Sequence, residues 1–150
     1  MVISKPSHIQ GVKAAADRVC RVHESLTEFI APGKTLAEID AHVADTLVRL
    51  NSRSCFLRYR VPGLGPFPSH SCLSLNECVV HGTHLDVTRP LEAGDVLSID
   101  IGVLHNGWIG DAAWTYGLVE VSDTARRLMD VGIDSLRRGI EAMQPGRPLI

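Results

Sequence analysis

Two aspartates, Asp100 and Asp111, stand on either side of an Asn-Gly dipeptide in the stretch Val-Leu-Ser-Ile-Asp-Ile-Gly-Val-Leu-His-Asn-Gly-Trp-Ile-Gly-Asp (residues 96–111). Asn106 and Gly107 are a strong hairpin signal, because a type I′ turn requires φ > 0 at both central residues. With those two as the loop, His105 faces Trp108 and, counting back along the ladder, Gly102 faces Asp111. Side chains alternate with period two, so Asp100 shares a face with Gly102 and therefore with Asp111. The carboxylates become diagonal neighbours, about 7–8 Å apart at the backbone and closer at the side chains. Gly102 is expected to leave room between them. Two carboxylates on one face of apolar strands repel each other and resist desolvation. A divalent cation between them removes both penalties. Asp100 is flanked by Ile99 and Ile101, so alternation does not decide which face is wet, and a pair of solvated acids is the alternative.

His81 follows the apolar run Cys78-Val79-Val80 and precedes Gly82. An imidazole at the end of such a strand is either a satisfied structural group or a third polar group converging on the carboxylates. The four cysteines (Cys20, Cys55, Cys72, Cys78) form no Cys-x-x-Cys and are too sparse for a disulfide scaffold, so they read as reduced thiols. The pairs His70/Cys72 and His81/His84 lack the matching second half that a structural zinc site needs.

The elements that must position these groups are legible from periodicity. Over residues 7–30 apolar residues recur at helical steps (Ile9, Val12, Ala16, Val19, Leu26, Ile30), with Ser7 as a candidate N-cap and Pro32-Gly33 as the stop. Thr35-Leu-Ala-Glu38 is a capping box opening a second helix to about Leu50. Residues 51–70 change character. Three prolines and two glycines in Val-Pro-Gly-Leu-Gly-Pro-Phe-Pro (residues 61–68) forbid regular structure, and so apolar a loop is expected to line a pocket. A short strand is expected over residues 73–80, with Asn76-Glu77 as a bulge or turn, and then the hairpin, whose second strand runs to about Val119. Ser122 or Asp123 caps a third helix that ends at Gln144-Pro145-Gly146. Helix, helix, strands, helix is an α+β order, with helices packed on an antiparallel sheet. The closing Arg-Pro-Leu-Ile reads as a linker into a further element.

Composition bounds the partners. At 150 residues, 45% hydrophobic and 21% charged, the chain fits one globular domain. A net charge of −2 gives no bulk signal for nucleic acid or a membrane surface. There is no apolar run of spanning length and no secretory h-region at the N-terminus, so the expected location is cytoplasmic.

Taken together, Ser-Leu-Asn-Glu-Cys-Val-Val-His-Gly (74–82), Leu-Glu-Ala-Gly-Asp-Val-Leu-Ser-Ile-Asp-Ile-Gly-Val (91–103) and Asn-Gly-Trp-Ile-Gly-Asp (106–111) resemble the N-terminal half of type I methionine aminopeptidases. Ala-Pro-Gly-Lys-Thr (31–35), Ala-Arg-Arg-Leu-Met (125–129) and Gly-Ile-Glu-Ala-Met-Gln-Pro-Gly (139–146) extend the resemblance over nearly the whole chain, and the 11-residue Asp–Asp spacing matches the family's. The resemblance implies a pita-bread fold of two α+β halves, of which residues 1–150 are the N-terminal half and the C-terminal half is absent. It implies two divalent metal ions per complete site (Co, Mn, Fe, Zn or Mg), with Asp100 as the chelating and Asp111 as the bridging ligand. His81 would contact the substrate near the scissile amide, and Leu64, Phe67 and Cys72 would form an apolar pocket for a Met side chain. The family's remaining ligands, one His and two Glu, belong to the second half. The family's Gly-Asp-Thr-Ser reads Gly110-Asp111-Ala112-Ala113 here, and its pocket tyrosines are replaced by Leu64 and Phe67. Three functions follow: a partial methionine aminopeptidase acting on the N-terminal Met of nascent chains; an inert binding module, for example on the ribosome or a peptide; or a homodimer of halves that completes the metal site across its interface.

Overall fold

The computed structural model describes residues 3–148. Helix α1 (Pro6–Phe29) and helix α2 (Leu36–Arg49) come first, followed by strands β1 (Arg53–Ser54), β2 (Cys72–Leu75), β3 (Val96–His105) and β4 (Trp108–Gly117), and by helix α3 (Asp123–Ala142). The α+β expectation holds. β3 is the hub of one antiparallel sheet, bordered by β4 on one side and by β1 and β2 on the other.

The local rules explain most of the boundaries. Pro6 occupies the first turn of α1, where its missing N–H costs nothing, and Lys5 rather than Ser7 is the N-cap. The capping box of α2 is formed: Thr35 Oγ1 accepts from Glu38 N–H at 3.2 Å, and Glu38 Oε2 accepts from Thr35 N–H at 2.8 Å. Asn106 and Gly107 both take positive φ (49° and 81°), the type I′ geometry that the dipeptide implied. The expected register is present, with His105 opposite Trp108 and Gly102 opposite Asp111.

Two strands differ from expectation. The strand expected over residues 73–80 is β2, which ends at Leu75. Asn76 turns the chain at φ 51°, and its side chain bonds Asp95 (2.8 Å) and the N–H of Val96 (2.9 Å), so residues 78–82 leave the ladder. His81 therefore does not close a strand. β1, inside the stretch read as loop, is too short to show periodicity.

Alternation sorts the two faces of the sheet. Leu97, Ile99, Ile101 and Val103 of β3 are buried beneath the helices with Val19, Val22 and Leu26 of α1 and Ile39, Val43 and Leu47 of α2. The opposite face carries Ser98 beside Thr115 (2.9 Å between hydroxyls), Asp100 beside Ala113, and Gly102 beside Asp111. α1 crosses β4 so closely that a Cβ on Gly110 would lie 2.6 Å from the backbone of Ala15. α3 is different: none of its residues is buried, and its apolar side chains Leu128, Val131, Ile133, Leu136 and Ile140 are exposed.

Candidate metal centre

The site is built on the sheet face that the helices leave open. Ile99 and Ile101 point into the core, so Asp100 must point away from it, and this settles what the flanking isoleucines left open. Asp100 is half-buried and one of its oxygens, Oδ1, is sealed from solvent without a hydrogen-bond partner. Its pKa is raised, first by burial and then by the charge of Asp111. His81 acts in the opposite sense: its charge lowers the Asp100 pKa, so the imidazole lies within electrostatic reach of the pair.

Thiols flank the acids. Cys72 lies directly across the ladder from Asp100 and is buried, and its thiol is pushed up to about 11 by that burial and by the charges of Asp100 and Asp111. Cys55 is also raised, by burial and by Asp111. Both are protonated, unreactive thiols at neutral pH.

The space above Gly102 is not vacant. A Cβ there would meet Phe56 Cε1 at 2.7 Å and the Cβ of Cys55 at 3.1 Å, so the absent side chain admits the Phe56 ring rather than leaving room between the acids. Phe56 packs edge-on to Phe67, with ring centroids 6.4 Å apart. Phe67 N–H donates to the carbonyl of Tyr59, and Arg58 N–H donates to that of Phe67, both at 2.8 Å, so residues 60–66 form an excursion from a closed base. Leu64 lies in that excursion, 71% exposed. The structure thus gathers Asp100, Asp111, His81 and Cys72, sets Phe67 behind Phe56, and leaves Leu64 outside. Cys55 and Phe56 are additions. A glycine in an apolar strand opposite an aspartate was the signal for them, since it marks the close approach of another group. Of the two alanines that replace hydroxyl residues, only Ala113 lies on the site face; the carbonyl of Ala112 is bonded to His23 Nε2 at 3.0 Å.

A divalent cation fits this arrangement. It would satisfy the orphaned Oδ1 and cancel the repulsion between two carboxylates. The fit is partial: among the described residues no three His, Cys, Asp or Glu side chains form a complete metal cage.

A pair of aspartates thus shares one face of a β-hairpin, with Cys72 across the ladder and the Phe56 ring over Gly102 beside them. The sequence profile of metallopeptidase family M24 matches residues 10–149, and the chain belongs to that family. Methionine aminopeptidase 1 of Bacillus subtilis is 34% identical over 150 residues, covering 99% of this chain and 58% of the relative. Methionine aminopeptidase of Clostridium acetobutylicum is 32% identical over 99% of this chain and 57% of its own length. The crystal structure of methionine aminopeptidase from Thermotoga maritima superposes with a TM-score of 0.85 at 31% identity, covering 97% of this chain and 56% of that one. The enzyme from Rickettsia prowazekii gives a TM-score of 0.89 at 27% identity, with the same coverage. The fold is thus that of one half of the pita-bread metallopeptidases, and the chain spans about half the length of the relatives it matches. No helix of the described residues is long and apolar enough to cross a membrane.

Proposed function

We propose that this chain supplies one wall of a methionine aminopeptidase centre, which removes the N-terminal methionine from peptides and nascent proteins with the help of divalent metal ions. The observation that supports this most is the carboxylate pair itself: Asp100 and Asp111 on one face of the hairpin, with Asp100 Oδ1 buried and without a partner. Asp100 and Asp111 would hold the metal ions, and the identity of the metal (Co, Mn, Fe, Zn or Mg) is left open by carboxylate ligands. When bound, such ions polarise a peptide carbonyl and lower the pKa of water. The chain's own groups do the rest. His81 donates to or accepts from the substrate beside the scissile amide. Cys72, Phe56 and Phe67 offer a neutral, apolar wall to a thioether side chain, and the raised thiol pKa of Cys72 keeps that wall uncharged.

The opposite wall, with its His and two Glu, must come from a second half. The exposed apolar stripe of α3 supports a face that is covered in the working assembly. Another segment of chain or a second copy of this one would serve, and a homodimer completes the site if a twofold axis brings two carboxylate pairs together.

An aminopeptidase assay on a Met-initiated peptide, with Mn²⁺ or Co²⁺ and with Asp111→Asn alongside, tests the reading. Metal-dependent release of methionine that Asp111→Asn abolishes supports it. Release that persists in Asp111→Asn removes the metal mechanism. Sedimentation velocity with metal analysis tests the dimer, which a metal-free monomer would exclude.

A further inference from the structure

A second cluster of titratable groups lies beneath the site and is not used by the chemistry above. Asp40 on α2 is buried, yet its carboxylate is fully engaged. Oδ1 accepts from the backbone N–H of His70 (2.9 Å), the N–H of Ser71 (3.1 Å) and the Ser71 hydroxyl (3.1 Å). Oδ2 accepts from His70 Nδ1 at 3.0 Å, and His84 Nδ1 lies 3.8 Å away. His84 Nδ1 is 2.7 Å from Ser69 Oγ, which also accepts from His84 N–H at 3.2 Å.

Serine, histidine and aspartate in contact suggest a nucleophile, but the geometry excludes it. Ser69 is wholly buried, and Ser69 Oγ and Asp40 Oδ2 approach the same nitrogen of His84, so no relay runs through the ring. What the cluster does is tie three segments together: α2, the entry to β2, and the turn after His81.

That turn matters because His81 is held mainly from one side. Upstream, Val79 and Val80 are 83% and 63% exposed, and the link there is a contact of Cys78 Sγ with the Val80 carbonyl at 3.7 Å. His81 itself takes φ 60°, a left-handed conformation that is strained for a non-glycine residue. Downstream the chain is anchored twice. Gly82 lies against β2, its carbonyl accepting from Leu73 N–H at 2.7 Å and its N–H donating to Ser74 Oγ at 3.2 Å. A Cβ on Gly82 would collide with the carbonyl oxygen of Leu73. Two residues on, His84 is bonded to Ser69. The same Asp40 that lies beside His84 holds the N–H groups of His70 and Ser71, the residues just before Cys72.

We infer that Asp40, Ser69 and His84 are positioning residues that set His81 and Cys72 on either side of Asp100. The inference takes Asp100, Asp111 and His81 as one site, but its test does not depend on metal binding or on activity. In the metal-free full chain, the backbone and ring resonances of His81 report its positive φ and its place beside Asp100. His84→Ala and Ser69→Ala (the latter deleting one oxygen) are expected to shift the His81 signals toward those of an unconstrained residue. His84→Asn, which keeps a polar atom at the Nδ1 position, is expected to restore them.

Ser52→Ala is the control. It breaks the bond between Ser52 and His105, 3.1 Å long at the far end of β3, and costs comparable stability. His81 signals that stay put in His84→Ala and Ser69→Ala, or that move equally in Ser52→Ala, overturn the inference. Titration of the unaltered chain with Mn²⁺ tests the metal reading separately. No Mn²⁺ binding alongside displaced His81 signals would remove that reading and leave the positioning role standing.

Discussion

Replacing Asp100 by Asn should stabilise the metal-free chain and weaken metal binding, two effects of opposite sign from one substitution. At roughly 7 Å and an effective dielectric of about 20, two unit charges repel by about 2 kcal/mol. Asp111 is exposed, and solvent screening lowers this to about 1 kcal/mol. Asn removes the repulsion and keeps a donor for Asp111. The pH dependence has a definite sign. The Asp100 pKa in the folded chain is raised above its ordinary value of 3.8. Between those two values the folded state holds more protons than the unfolded one, so wild-type stability falls as pH rises through that window. Asp100→Asn should therefore match wild type below about pH 4 and gain its full advantage above the folded pKa. With Mn²⁺ the order reverses, because Asn is neutral and a poor ligand, and affinity should drop by at least about tenfold. Urea melts in chelator from pH 4 to 8, with calorimetric Mn²⁺ titrations at pH 7, measure both. A metal-free Asp100→Asn chain less stable than wild type at pH 7, or a gain independent of pH, would refute the account of the pair.

Three further outcomes follow from the packing. Gly110→Ala places a methyl 2.6 Å from the Ala15 backbone, which cannot rotate aside, and should cost about 2–3 kcal/mol in a thermal melt. Asp95 is held well below the usual carboxylate range by its two hydrogen bonds from Arg89 (2.8 and 2.9 Å), so its contribution is present above the unfolded pKa and lost as pH falls through the folded one. Asp95→Asn should thus lower the melting temperature at pH 7, by an amount that shrinks in strong acid. Leu128→Glu with Leu136→Glu on α3 should change the stability of the isolated chain by no more than about 0.5 kcal/mol per site. The same pair should abolish association with whatever covers that face, read by sedimentation.

The hairpin was legible in the sequence because its information is local. An Asn-Gly turn sets the register, and the register puts Asp100 diagonal to Asp111. What escaped depends on contacts between distant segments. Phe56 sits over Gly102 because residues 58–67 close on themselves, and Leu64, which looks like a pocket residue in the sequence, is carried outward by that closure. The strand drawn through residues 78–80 failed for a similar reason. Val79 and Val80 have strand-forming side chains, but Asn76 spends its amide on Asp95 and Val96 and turns the backbone first. α3 makes the complementary point. Its apolar periodicity is as clear as that of α1 and α2, yet it buries nothing, because periodicity shows that a face is to be covered and not by what. The groove between α3 and the sheet, about 1030 Å³ in volume, is lined by Val96, Ser98 and Ala113 of the site face together with Leu128, Ile133 and Leu136 of α3. Ala113 is also the ladder partner of Asp100. A body seated in that groove would therefore lie against the ladder partner of Asp100.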